Sequence, residues 1–93
     1  MAVINNWDNN SIVSGTGDND TIYNSGSGVT INSGTGDDSI RNSGDSVIID
    51  IGDGNDTIYN SGSNVTINTG TGNDSVYNYY NHQVTINTVS GDG

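Results

Sequence analysis

Apolar residues recur along this chain at fixed intervals. Ile22, Ile31, Ile40, Ile49, Ile58, Ile67 and Val76 follow one another every nine residues, and Ile4, Ile12 and Ile86 extend the series at intervals of eight or ten. In alternate members a second apolar residue stands two positions earlier: Val29, Val47, Val65 and Val84. Alternation with a period of two over a few β-branched residues predicts short strands with one buried face. The intervening segments are built from Gly, Asn, Ser and Asp, which form turns, and several of their glycines are expected at positive φ.

Two different halves alternate, so the true repeat is eighteen residues. One half reads Gly52-Asp53-Gly54-Asn55-Asp56-Thr57-Ile58 and the other Asn60-Ser61-Gly62-Ser63-Asn64-Val65-Thr66-Ile67-Asn68. The blocks starting at Gly15 and Gly70 each read as carrying one extra residue. Two strands and two tight turns per repeat describe one coil of a flattened solenoid, and a short fixed period is its signature. The expected fold is all-β: a right-handed parallel β-roll (β-solenoid) of about five coils, handedness following the general rule for parallel crossovers. Residues 1–93 form a single domain in this reading, with 1–13 an irregular N-terminal cap, 14–78 the regular repeats and 79–93 a C-terminal cap.

Composition alone suggests disorder, since the 93 residues are 29 % hydrophobic and carry a net charge of −10; the repeat argues against it. Leu, Lys, Glu, Phe, Pro and Cys are absent, which excludes a helical domain, disulfides and thiolate metal sites. The eleven acids are all Asp and the single cation is Arg41. That balance disfavours nucleic acid and anionic membrane surfaces as partners, and no apolar run is long enough to span a bilayer. No basic and apolar leader of the signal-peptide kind is present, and a C-terminal secretion signal is not recognisable in Thr88-Val89-Ser90-Gly91-Asp92-Gly93. No nucleophile–base pair or paired-Glu constellation recurs, so no enzymatic activity is expected.

A repeat that places Asp at the same point of every coil sets carboxylates in a row ~5 Å apart. Such a row repels itself unless divalent cations lie between its members. The available donors are carboxylates and turn carbonyls, hard oxygens that suit Ca²⁺ better than Mg²⁺, while zinc and copper lack Cys and have only His82.

The glycine-rich half resembles the calcium-binding nonapeptide of the repeats-in-toxin (RTX) family, G-G-x-G-x-D-x-U-x with U apolar. Gly34-Thr35-Gly36-Asp37-Asp38-Ser39-Ile40, Gly52-Asp53-Gly54-Asn55-Asp56-Thr57-Ile58 and Gly70-Thr71-Gly72-Asn73-Asp74-Ser75-Val76 match from the second glycine onward. Gly15-Thr16-Gly17-Asp18-Asn19-Asp20-Thr21-Ile22 matches with one inserted residue. The resemblance covers roughly residues 14 to 88. It implies a parallel β-roll with Ca²⁺ between successive turns, held by Asp20, Asp38, Asp56 and Asp74. Carbonyls would come from the turns containing Gly15 and Gly17, Gly34 and Gly36, Gly52 and Gly54, and Gly70 and Gly72. It further implies about three ions, folding coupled to calcium, and a place outside the cell or on its surface, as a segment of a secreted bacterial protein. The first family glycine is replaced by Ser33, Ile51 and Thr69. The alternate turns carry Val29, Val47, Val65 and Val84 where the ligand Asp would stand, so calcium is expected along one edge only. Asp45, in such a turn, reads as a solvated surface acid.

Outward positions Tyr23, Arg41, Tyr59 and Tyr77 fall in register and read as a stacked ladder, with a sugar-binding platform as the sharper alternative. Thr30, Thr66 and Thr85 with Asn32, Asn68 and Asn87 form a polar row on the other strand, interrupted by Ile48 and Asp50. Thr16, Thr35 and Thr71 with Asn55 and Asn73 look like the ranked residues of calcium-bound ice-binding RTX modules, although Asp37 and Asp53 break those ranks. A metal-free solenoid held by Asn and Ser ladders, stacking end to end, is a further alternative. Trp7, Tyr79, Tyr80 and His82 read as end caps.

Overall fold

The computed structural model describes residues 2–79 and 83–87. Tyr80, His82 and the segment 88–93 lie outside the described residues. Ten strands alternate between two parallel sheets. One holds β1 (Val3–Asn6), β3 (Thr21–Asn24), β5 (Ser39–Asn42), β7 (Thr57–Asn60) and β9 (Ser75–Asn78), in that spatial order. The other holds β2 (Ile12–Ser14), β4 (Thr30–Asn32), β6 (Ile48–Asp50), β8 (Thr66–Asn68) and β10 (Thr85–Asn87). Each odd–even pair is one coil, so the chain is a β-solenoid of about five turns, with no helix among the described residues. Consecutive coils pair eighteen residues apart, as in Ile22 against Ile40 and Ile31 against Ile49. The last step of the second sheet, Ile67 against Ile86, is nineteen apart, so the extra residue of that block falls between Asn78 and Thr85.

The core is a narrow stack of β-branched side chains. Ile22, Ile40 and Ile58 from one sheet meet Ile31, Ile49 and Ile67 from the other, with Val29, Val47 and Val65 at the turn, all at 0–1 % exposure. Ile51 joins them. Its neighbours in register, Ser33 and Thr69, are equally buried, and the Ser33 hydroxyl donates to the Ile51 carbonyl at 2.6 Å. The position occupied by glycine in the family pattern is therefore an inward core position here.

Two expectations are corrected at the N-terminal end. The inward residue of β2 is Val13 (6 % exposed), paired with Ile31, whereas Ile12 points outward (73 % exposed). The interval of eight from Ile4 to Ile12 had already departed from nine, and period-two alternation flips a side chain with each single-residue slip. The block beginning at Gly15 also contains no insertion. Gly15 donates its N–H to Asn32, Ser33 to Asp50 and Ile51 to Asn68, so Gly15 shares a column with Ser33 and Ile51. Thr16 and Asp18 accordingly stand where later coils have glycine. The first coil otherwise pairs like the rest, Val3 against Thr21 and Ile12 against Thr30.

Close stacking at the turns explains the glycines. A Cβ on Gly44 would run into the carbonyl oxygen of Gly26, and one on Gly62 into that of Gly44. Gly54 adds a backbone at φ 120°. At the left-handed position of the edge that carries Gly44 and Gly62 the chain uses Asn10, Gly28, Ser46, Asn64 and Gln83, mostly residues that tolerate that region.

Candidate functional site

The solenoid has two edges, and each is organised by one polar side chain per coil. On the edge where odd strands turn into even ones, Asn6, Asn24, Asn42, Asn60 and Asn78 point inward in register. The Asn42 amide nitrogen donates to the Asn60 side-chain oxygen at 2.8 Å and to the Gly44 carbonyl at 3.0 Å. Its oxygen accepts from Asn24 at 2.8 Å and from the Gly44 N–H at 3.2 Å. A carboxamide has two donors and two acceptor lone pairs, and here all four are used. This edge satisfies itself.

The sequence pattern contains this ladder, an Asn every eighteen residues before Ser-Gly, but it reads equally as a turn signal. The polar row anticipated on the even strands exists only in part: Asn87 donates to Asn68 and Asn68 to Asp50.

The opposite edge joins each even strand to the next odd one and carries Asp20, Asp38, Asp56 and Asp74 in one column. Asp20, Asp38 and Asp56 are 1–2 % exposed. Each backbone N–H donates to Oδ1 of the next coil's aspartate: Asp20 to Asp38 at 2.8 Å, Asp38 to Asp56 at 2.7 Å and Asp56 to Asp74 at 2.9 Å. A carboxylate only accepts, so this ladder uses one oxygen per residue and leaves the other. Oδ2 of Asp38, Asp56 and Asp74 is buried with no hydrogen-bond partner.

Asp20 is different. Its Oδ2 accepts the Thr16 N–H at 2.6 Å and its carboxylate also takes the Thr16 hydroxyl, while Oδ1 accepts the Ala2 N–H. Those donors, the Thr16 N–H foremost, hold its carboxyl below the usual range. For Asp38 and Asp56 burial dominates and pushes the carboxyl up, to about 7 at Asp56, where negative Asp38 and Asp74 add to the effect.

Glycine columns flank the aspartates. Gly34, Gly52 and Gly70 stack in one file and Gly36, Gly54 and Gly72 in a second, each placed so that a Cβ would run into a carbonyl oxygen of the preceding coil. Gly15 and Gly17 stand outside these files, which Thr16 and Asp18 begin.

A hard cation fits this donor set. It would supply the positive charge that the unpartnered oxygens lack, with turn carbonyls within the same edge to complete its shell. Among the described residues no three carboxylate, imidazole or thiolate groups converge, so such a site would rest on carbonyls as much as on side chains.

The outermost residues of this edge form two further columns. Asp37 accepts the Asn55 N–H and Asn55 the Asn73 N–H, while the hydroxyls of Thr35 and Thr71 donate to the Gly17 carbonyl and to Asp53. The Thr and Asn residues considered for ice are thus brought together, except Thr16, but their hydrogen bonds run along the solenoid axis. No family model, curated protein or solved structure matches the chain.

Proposed function

We propose that this chain is a calcium-binding structural module of the RTX type, folded or stiffened by Ca²⁺ along its aspartate edge. The observation that carries the reading is the contrast between the two edges. The Asn column completes its hydrogen bonds unaided, whereas the Asp column leaves Oδ2 of Asp38, Asp56 and Asp74 buried and without donors. Burying anions unpaired is costly, and a divalent cation between neighbouring coils removes that cost.

The ligands are Asp38, Asp56 and Asp74 with carbonyls of the turns at 34–37, 52–55 and 70–73. Asp20, already supplied with donors by Thr16, closes the row. Cations of this kind bind extracellular modules at millimolar concentration, which suits a rigid segment of a secreted or surface protein. The role is structural, not enzymatic.

The test is calorimetric titration of chelator-treated protein with CaCl₂, with circular dichroism followed in parallel. Two to three ions should bind, Mg²⁺ much more weakly, with a gain in strand signal or melting temperature. Unchanged stability at several millimolar Ca²⁺ would refute the reading.

A further inference from the structure

The outer face of the odd-strand sheet carries a second feature, independent of the aspartate edge. Alternation along each strand puts two rows on this face. The tall row is Asn5, Tyr23, Arg41, Tyr59 and Tyr77. Two positions further along the chain is a short row, Trp7, Ser25, Ser43, Ser61 and Tyr79. Its register follows from the hydrogen bonds of Ser25, Ser43, Ser61 and Tyr79 to Asn6, Asn24, Asn42 and Asn60.

The tall row is a ladder. Tyr59 and Tyr77 stack at 5.0 Å with 11° between planes, and the Arg41 guanidinium lies 4.9 Å from the centre of the Tyr59 ring. Arg41 and Tyr77 flank the Tyr59 ring, so of this stacked pair only Tyr77, 50 % exposed on the last strand of the sheet, keeps an open face. The short row behaves differently, because serine cannot stack on an aromatic ring. Trp7 and Tyr79, four coils or ~19 Å apart at ~4.8 Å per coil, remain 74 % and 65 % exposed. The serines between them form a floor below the wall of tall residues. The result is a trough of about 300 Å³ with an aromatic ring at each end and Arg41 on its wall.

Arg41 is the chain's single Lys or Arg. In a molecule with eleven acids it pairs with no carboxylate among the described residues, its contact being the Tyr59 ring. A rigid, planar cation left unpaired in a trough is suited to carboxylate recognition.

We propose that this trough binds an extended oligosaccharide of otherwise neutral sugars that carries one uronic-acid carboxylate, since a chain with eleven acids and one cation repels a polyanion. Trp7 and Tyr79 would stack on the apolar faces of sugar rings at the two ends. The hydroxyls of Ser25, Ser43 and Ser61 donate weakly to backbone carbonyls at 3.3–3.5 Å, which leaves their lone pairs to accept from sugar hydroxyls. Arg41 meets the carboxylate near the middle. Length follows from the separation of the two rings, which a monosaccharide cannot bridge.

The experiment is isothermal calorimetry of the full chain, its fold checked by circular dichroism, against cellotetraose with one inner glucose oxidised to glucuronic acid. Cellotetraose serves as the neutral saccharide and tetraglutamate as the acidic peptide. The mono-oxidised cellotetraose should bind at least about tenfold more tightly than either, a difference of ~1.4 kcal/mol. Arg41→Gln should bring the acidic and neutral saccharides level, and Trp7→Ala or Tyr79→Ala should weaken both. Ser43→Trp, which fills the floor, should abolish binding. The proposal is overturned if the mono-oxidised cellotetraose does not bind folded protein, if tetraglutamate binds as well, or if Arg41→Gln changes nothing. Self-association through this face, seen as a dimer that Ser43→Trp disperses, would also overturn it.

Discussion

Replacing Asp56 with Asn should change stability in opposite directions with and without calcium. In the wild-type chain Asp56 is 1 % exposed, accepts one N–H at Oδ1 and has no partner at Oδ2. Its carboxyl is raised from 3.8 to about 7, chiefly by burial. A raised value means that the folded state holds the proton more tightly than the unfolded chain. The contribution of Asp56 to metal-free stability is therefore fully present below pH 3.8, declines as pH rises, and is lost above about 7. At ~1.4 kcal/mol per tenfold change in proton affinity, the loss is at most about 4 kcal/mol. Asp56→Asn keeps the oxygen that accepts from Asp38 and removes the charge. It adds a buried NH₂ whose unmet bonds cost ~1–3 kcal/mol.

In chelator at pH 7.5 the variant should thus gain on the order of 1–3 kcal/mol over wild type, several degrees or more in melting temperature for a domain of this size. In calcium the order should reverse. Each ion adds ~2.7 kcal/mol to the wild type at a hundredfold excess over its dissociation constant, and Asp56 borders two coil intervals. Paired melts, with strand signal as the readout where a species is unfolded and Asp45→Asn as surface control, decide the matter. A variant less stable than wild type in both conditions, or more stable in both, refutes the account of the Asp column.

Three further outcomes are expected. In chelator the wild-type melting temperature should fall between pH 4 and pH 7, the window set by the raised carboxyls of Asp38 and Asp56, while apparent calcium affinity rises over the same range as protons cease to compete; a flat profile in both would contradict this. Asn42→Ala should cost roughly 3–5 kcal/mol in chemical denaturation because it strands several buried partners, whereas Asn87→Ala, exposed at the end of its row, should cost under about 1 kcal/mol. Gly44→Ala places a methyl against the Gly26 carbonyl and should cost more than about 3 kcal/mol or prevent folding; Gly17→Ala, whose nearest neighbour is the Thr35 hydroxyl at 3.5 Å, should stay folded.

Much of the architecture is legible in the spacing of a few residues. Ile and Val every nine positions can be buried together only if coils of eighteen stack, and that stacking carries the coil count, the parallel pairing and the aspartate column. The errors fall where the spacing loosens. Between Ile4 and Ile22 the pattern admitted two phases, and the backbone hydrogen bonds of Gly15 and Val13 select the one that keeps every coil aligned.

What the chain's own text determines, then, is which residues share a column, because a regular solenoid converts period into position. What the tertiary structure decides is how each column meets its hydrogen-bonding needs. Asn and Asp differ by one group, and in sequence both mark turns. Stacked at coil spacing inside the protein, the amide column donates and accepts in equal number, whereas the carboxylate column accepts only and is left with buried oxygens. Likewise Trp7 and Tyr79 read as end caps from their places in the chain, and become the two ends of one trough only when the serines between them are laid in register.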